Sequence, residues 1–134
     1  MKAIADAGFL IAFGNRRDRH HAWAVGIAEQ VVEPLLTCEA VLSEAAFQLE
    51  DTAYVMSLLD DGLVRVAFDL AGHEKEVAWL AEQYASRQPD LADLCLIRMS
   101  ELHRAFPVIT TDVRDFRVYR RNRREVIPLI TPED

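Results

Sequence analysis

"PDLADLCLIRMSELHRAFPVITT", residues 89–111, decides how this chain is read. Pro89 introduces a helix whose Leu94, Ile97 and Leu102 recur at helical spacing and mark an inward face. "PVITT" (107–111) then has the β-branched character of a buried strand. A helix that leads into a strand of a parallel sheet runs antiparallel to it, so its amino end lies at the carboxyl edge of the sheet. Asp90 and Asp93 sit at that end. Asp112 directly follows the strand.

The same alternation continues outward. "KAIA" (2–5) is a short apolar run ended by Asp6, and "DRHHAWAVGIAEQVV" (18–32) carries Trp23, Ile27 and Val31 at helical spacing before Pro34 closes it. "LLT" (35–37) reads as a short strand and "CEAVLSEAAFQLE" (38–50) as a strong helix former. "DTAYVMSLLDDG" (51–62) is a helix stopped by Gly62, "LVRVAF" (63–68) a strand, and "GHEKEVAWLAEQYASR" (72–87) an amphipathic helix. "DVRDFRVYR" (112–120) is a short helix or turn. "EVIPLI" (125–130) is a last strand, placed at an edge because Pro128 has no N–H to give a ladder. Near-continuous apolar strands separated by helices predict an α/β/α sandwich, with a mostly parallel sheet of about five strands covered on both faces. In such sheets function gathers at the carboxyl ends of the strands.

The chain has 134 residues, 51% of them apolar, which suits one domain spanning 1–134 with a single core. No run approaches a membrane span, and the apolar start "MKAIADAGFLIAF" is broken by Asp6 and followed by Arg16, Arg17 and Arg19, the reverse of a secretory charge order. A cytoplasmic protein is therefore expected. Cys38 and Cys95 both fall within apolar helical pattern and read as small buried thiols. A formal charge of -7 argues against generic adhesion to nucleic acid. Yet "RDFRVYRRNRR" (114–124) concentrates Arg114, Arg117, Arg120, Arg121, Arg123 and Arg124 in a local basic ridge, either a solvated loop face or a phosphate-steering surface. Phe116 within it reads as core, and Tyr119 as either core or a base-stacking platform.

Asp6 and Asp112 should emerge on one sheet edge, with Asp90, Asp93 and Asp115 beside them. Asp90-Leu-Ala-Asp93 and Asp112-Val-Arg-Asp115 each place an acid at an N-cap and a second at the third helical position, so capping explains either pair alone. Capping does not explain the convergence. Two charges about 4 Å apart repel by about 4 kcal/mol at an effective dielectric near 20. A hard divalent cation, Mg²⁺ or Mn²⁺, would relieve this, and no cluster of His or Cys competes for a softer metal. Glu39 and Glu44 on the 38–50 helix are further candidates; they lie roughly 140° apart on a helical wheel, and periodicity selects neither.

These motifs resemble the PIN domains, in particular the VapC-type ribonuclease toxins of bacterial toxin-antitoxin pairs. "IADAGFLIAF" resembles the family's opening strand, aspartate and helix, with Ala7 where a small hydroxyl residue is usual. "LLTCEAVLSEAA" is similar to the segment in which a threonine precedes the second acid by seven residues, which points to Glu44. "PDLADLCLIRMSE" resembles the helix with the central aspartate, carried onto Asp93, with Asp90 as an accessory acid. "VITTDVRDF" is similar to the closing signature and carries Asp112 and Asp115. The resemblance implies metal-dependent hydrolysis of RNA, with Asp6, Glu44, Asp93 and Asp112 catalytic and these four with Asp90 and Asp115 around Mg²⁺ or Mn²⁺. It also implies an antitoxin partner and a homodimer.

Other functions fit less well. A haloacid-dehalogenase-type phosphatase needs an acid two residues after the first aspartate, where Gly8 stands, and a receiver domain needs a lysine after its last strand, where the chain has none. A PIN-like fold without activity, serving as a protein- or RNA-binding module, is the remaining alternative, and Ala7 is the residue that favours it.

Overall fold

The computed structural model describes residues 1–132. Five short strands, β1 (Ile4–Ala5), β2 (Leu35–Thr37), β3 (Val64–Val66), β4 (Val108–Ile109) and a strand at Leu129–Ile130, form one parallel sheet. The last is numbered β7, because a separate hairpin of β5 (Arg120–Arg121) and β6 (Glu125–Val126) precedes it. The sheet order is β3-β2-β1-β4-β7. Ile4 is in register with Leu36 on one side and Val108 on the other. Ile4, Ala5, Leu35, Leu36, Val64, Val108 and Ile109 are all buried, as strands covered on both faces require.

Among the described residues, seven helices flank the sheet: α1 (Ala7–Gly14), α2 (His21–Ala28), α3 (Glu39–Leu49), α4 (Thr52–Asp60), α5 (Glu74–Gln83), α6 (Leu91–Leu102) and α7 (Val113–Phe116). α1 packs on α2 and α3, α3 on α4 and α6, and α5 on α6. The chain builds outward from β1 through β2 to β3, then returns through α5 and α6 to place β4 on the other side of β1. This reversal opens a crevice at the carboxyl ends of β1 and β4, the usual ligand position of a parallel sheet. Close approach of α1 to the segment after β4 depends on Gly8, because a Cβ there would lie 2.1 Å from Thr111 Oγ1.

The expected elements are present, with shorter strands than the apolar runs suggest. Some readings change. The helix expected over 18–32 is confined to His21–Ala28 and ends well before Pro34. Leu102 is 44% exposed rather than inward, because it closes α6, whereas Leu94 and Ile97 are buried. "EVIPLI" is two strands: Glu125–Val126 pairs back on Arg120–Arg121, while Leu129–Ile130 joins the edge of the main sheet. Pro128 lies between them and contributes only its carbonyl, which accepts from the Val108 N–H at 2.9 Å. Cys38 and Cys95 are free and buried, but Cys38 occupies the N-cap position of α3 rather than its interior.

Part of the basic ridge is taken up in structure. Arg121 is buried; its Nη1 donates to the carbonyls of Ser100 and Arg104 at 3.1 and 2.9 Å, closing the end of α6, and its Nη2 donates to Glu125 at 3.2 Å. Arg120 Nη1 donates to the carbonyls of Arg117, Val118 and Tyr119. The Arg123 guanidinium stacks 4.6 Å from the centroid of Trp79. Arg114, Arg117 and Arg124 remain exposed.

Candidate active site

Asp6, Asp90 and Asp112 reach the crevice as the N-caps of α1, α6 and α7, and Asp93 and Asp115 lie in the first turns of α6 and α7. Asp6 follows β1 and caps α1: its Oδ1 accepts the Ala7 N–H at 2.6 Å, and its Oδ2 accepts the Thr110 hydroxyl at 2.6 Å. Asp112 follows β4 and caps α7, accepting the Asp115 N–H at 3.1 Å. Asp90 caps α6, accepting the Asp93 N–H at 2.9 Å. Capping is therefore real at all three positions, and it fixes the carboxylates around one cleft.

That cleft, of about 320 Å³, is lined by Asp6, Glu44, Asp90, Asp93, Asp112 and Asp115, the six predicted acids. Oxygens of Asp93, Asp112 and Asp115 all lie within 4.8 Å of one another. Glu44 faces the cleft from α3, whereas Glu39, at the start of the same helix, is exposed and lies along other grooves. The helical wheel left this choice open; packing of α3 against α1 and α6 makes it.

Crowding of like charges has electrostatic consequences. Burial, reinforced by Glu44 and Asp112, pushes the Asp6 carboxyl up to about 7 from its ordinary 3.8. Asp93 is pushed up to about 8 by burial and by the charges of Asp90, Asp6 and Asp112. Glu44 and Asp112 are also raised, burial being the first cause for both. Two neutral hydroxyls oppose the trend. Thr110 holds Asp6, and Tyr119 donates to Asp93 Oδ2 at 3.0 Å. Burial and the Asp93 charge keep that phenol protonated.

Thr110, Tyr119 and Arg87 are the parts that the sequence did not disclose. Thr110 accepts the Asp112 N–H at 2.9 Å as well as donating to Asp6, so a hydroxyl at the end of β4 joins the two halves of the site. Tyr119 is core, packed edge-on against Phe116 and Tyr84, and its hydroxyl touches the site through Asp93. Arg87 brings a cation to the rim. Arg16, Arg17 and Arg19 are exposed and do not line the cleft. His21 is tied to the Ala12 carbonyl at 2.8 Å, and His20 packs against Trp23.

Hard oxygen donors within bonding reach of one centre, with no nitrogen or sulfur among them, fit a divalent ion such as Mg²⁺ or Mn²⁺. The family comparison supplies the class of this acidic cleft: the PIN domain model matches residues 3–122, so the chain belongs to the PIN domain family. PIN domains are typically nucleases and generally use divalent metals. No curated protein sequence matches the chain. Among the described residues, no helix is long and apolar enough to cross a membrane.

Proposed function

We propose that the chain is a Mg²⁺- or Mn²⁺-dependent endoribonuclease and the toxin of a toxin-antitoxin pair. The observation that carries the hydrolytic reading is the meeting of Asp93, Asp112 and Asp115 with Asp6 and Glu44 in one cleft. Asp93, Asp112 and Asp115 would hold the ion, with Asp6 behind them; each engaged Asp6 oxygen keeps a second lone pair. When bound, a divalent ion makes a water nucleophilic near neutral pH and stabilises negative charge on the phosphoryl oxygens.

The side chains do the remaining work. Thr110 fixes the rotamer of Asp6, and Tyr119 that of Asp93, so the acids keep their spacing as the local charge changes. Glu44, raised by burial and by Asp90 and Asp112, would accept the proton of the attacking water at its carboxylate, and the departing 3′-oxygen would take its proton from solvent. The caps take the N–H groups of Asp93 and Asp115. Ala7 lacks a hydroxyl, but Thr110 supplies one to the same aspartate, which favours activity over an inert binding module.

Support for the toxin reading comes from the order of the four motifs, and the same resemblance supplies an antitoxin and a second copy of the chain as partners. An exposed apolar groove between α3, α4 and β3, lined by Leu42, Phe47, Met56 and Val66, supports a protein contact on that face. The test is incubation of the purified protein with total bacterial RNA in Mg²⁺, Mn²⁺ or EDTA, followed by ligation-based capture of the new ends. Metal-dependent fragments carrying 5′-phosphates and 3′-hydroxyls are expected; intact RNA under every condition would refute the reading.

A further inference from the structure

Arg87 is the one cation among the described residues lining the carboxylate cleft. Its Nη2 donates to Asp115 Oδ1 at 2.6 Å, and Asp115 belongs to the group of three carboxylates that could share an ion. The backbone presents it there. A 3-10 turn, Ala85–Arg87, is closed by the Arg87 N–H on the Tyr84 carbonyl at 2.9 Å, and Gln88 follows with φ of +49°, a left-handed conformation uncommon away from glycine. Pro89 then leads into α6. Strained backbone of this kind persists where its surroundings hold it, often beside a site. The Arg87 side chain, in contrast, has Asp115 as its single hydrogen-bonding partner among the described residues and is 30% exposed, so it has room to turn.

A cleft with six acids and one arginine is poorly suited to a polyanion unless its charge is rearranged. Resting on the nuclease reading, we propose that Arg87 and a divalent cation compete for Asp115, and that Arg87, once displaced, binds a backbone phosphate of the RNA. Arg87 is thus a phosphate-binding residue held in store on a carboxylate. Both halves follow from its chemistry. A guanidinium and a metal ion repel each other across one carboxylate, and the planar fork that fits a carboxylate also fits a phosphate.

The proposal is tested with wild type, Arg87→Gln and Arg87→Lys, with Lys75→Gln on α5 as a control for loss of one positive charge. Mn²⁺ alone is titrated calorimetrically into each protein, and steady-state cleavage of a defined RNA gives KM and kcat separately. Arg87→Gln is expected to tighten Mn²⁺ binding severalfold and to raise KM about tenfold, as loss of one charge-assisted phosphate contact would, with kcat changed less. Arg87→Lys should recover part of the KM, and Lys75→Gln should match wild type. A salt bridge that only pins the loop gives the reverse: Mn²⁺ binding weakened or unchanged in Arg87→Gln overturns the competition, and an unchanged KM overturns the phosphate role. If wild type cuts no RNA with any divalent ion, the nuclease reading fails and the phosphate role with it, while the Mn²⁺ titration still decides the competition by itself.

Discussion

Thr110 Oγ1 lies 2.6 Å from Oδ2 of Asp6 and 2.9 Å from the N–H of Asp112, so one buried hydroxyl joins the acids that follow β1 and β4. Replacing it with valine keeps the volume and removes both bonds. Thr110→Val is expected to cost about 1–3 kcal/mol, the range for leaving buried polar groups unpaired. Thermal unfolding checks this, and Thr110→Ser should recover most of the loss.

Asp6 and Asp93 make stability depend on pH in an unusual direction. Folding raises their pKa from 3.8 to about 7 and about 8, so between these limits the folded chain binds more protons than the unfolded one. Stability is therefore fully present below about pH 4 for these two groups and is lost as pH rises through 7 and 8. In EDTA, Tm should fall between pH 5 and pH 8, and Asp93→Asn should flatten the fall. Added Mn²⁺ should oppose it, because the ion binds the ionised form.

Tyr119 holds the carboxylate form of Asp93, since its hydrogen bond lowers a pKa that burial and neighbouring charges raise. Tyr119→Phe keeps the packing against Tyr84 and Phe116 while removing that donor. Asp93 should then ionise at higher pH, and the acidic limb of the pH-rate profile should move to higher pH. An unshifted limb with lowered Tm would reduce Tyr119 to a core residue.

Gly8 is tested by Gly8→Ala, whose Cβ would meet Thr111 Oγ1 at 2.1 Å. The strain is expected to cost about 1–3 kcal/mol. Gly8→Ala with Thr111→Ala should regain part of it, because the conflicting oxygen is gone, although Thr111 Cβ would still lie 3.3 Å away. Denaturant unfolding of the single and double variants measures this coupling.

The strand-helix alternation and the positions of Asp6, Asp90, Asp93, Asp112 and Asp115 are legible because each acid stands at a boundary between two elements or in the first helical turn after it, and in a parallel sheet such boundaries alternate between two edges. Glu44 is legible only through the resemblance. Its helix has half-buried flanks, and what distinguishes it from Glu39 is packing against α1 and α6, which no single-helix pattern contains. Arg121 misleads for a related reason. A run of arginines reads as solvent-facing until β5 and β6 turn one guanidinium onto the open carbonyls at the end of α6, whereas the core reading of Tyr119 agrees with its burial. Arg87 gives no signal of its own, because its place at the cleft depends on the left-handed backbone of Gln88.

The most direct measurement is cleavage of one RNA pool by wild type, Asp93→Asn and Asp6→Asn, purified identically and assayed with Mg²⁺, Mn²⁺ and EDTA. Wild type is expected to cut only with metal, and each variant to remain folded but slower by ~10²-fold or more, as when a group that stabilises transition-state charge is lost. Equal cleavage by all three proteins, or cleavage that survives EDTA, would contradict this expectation.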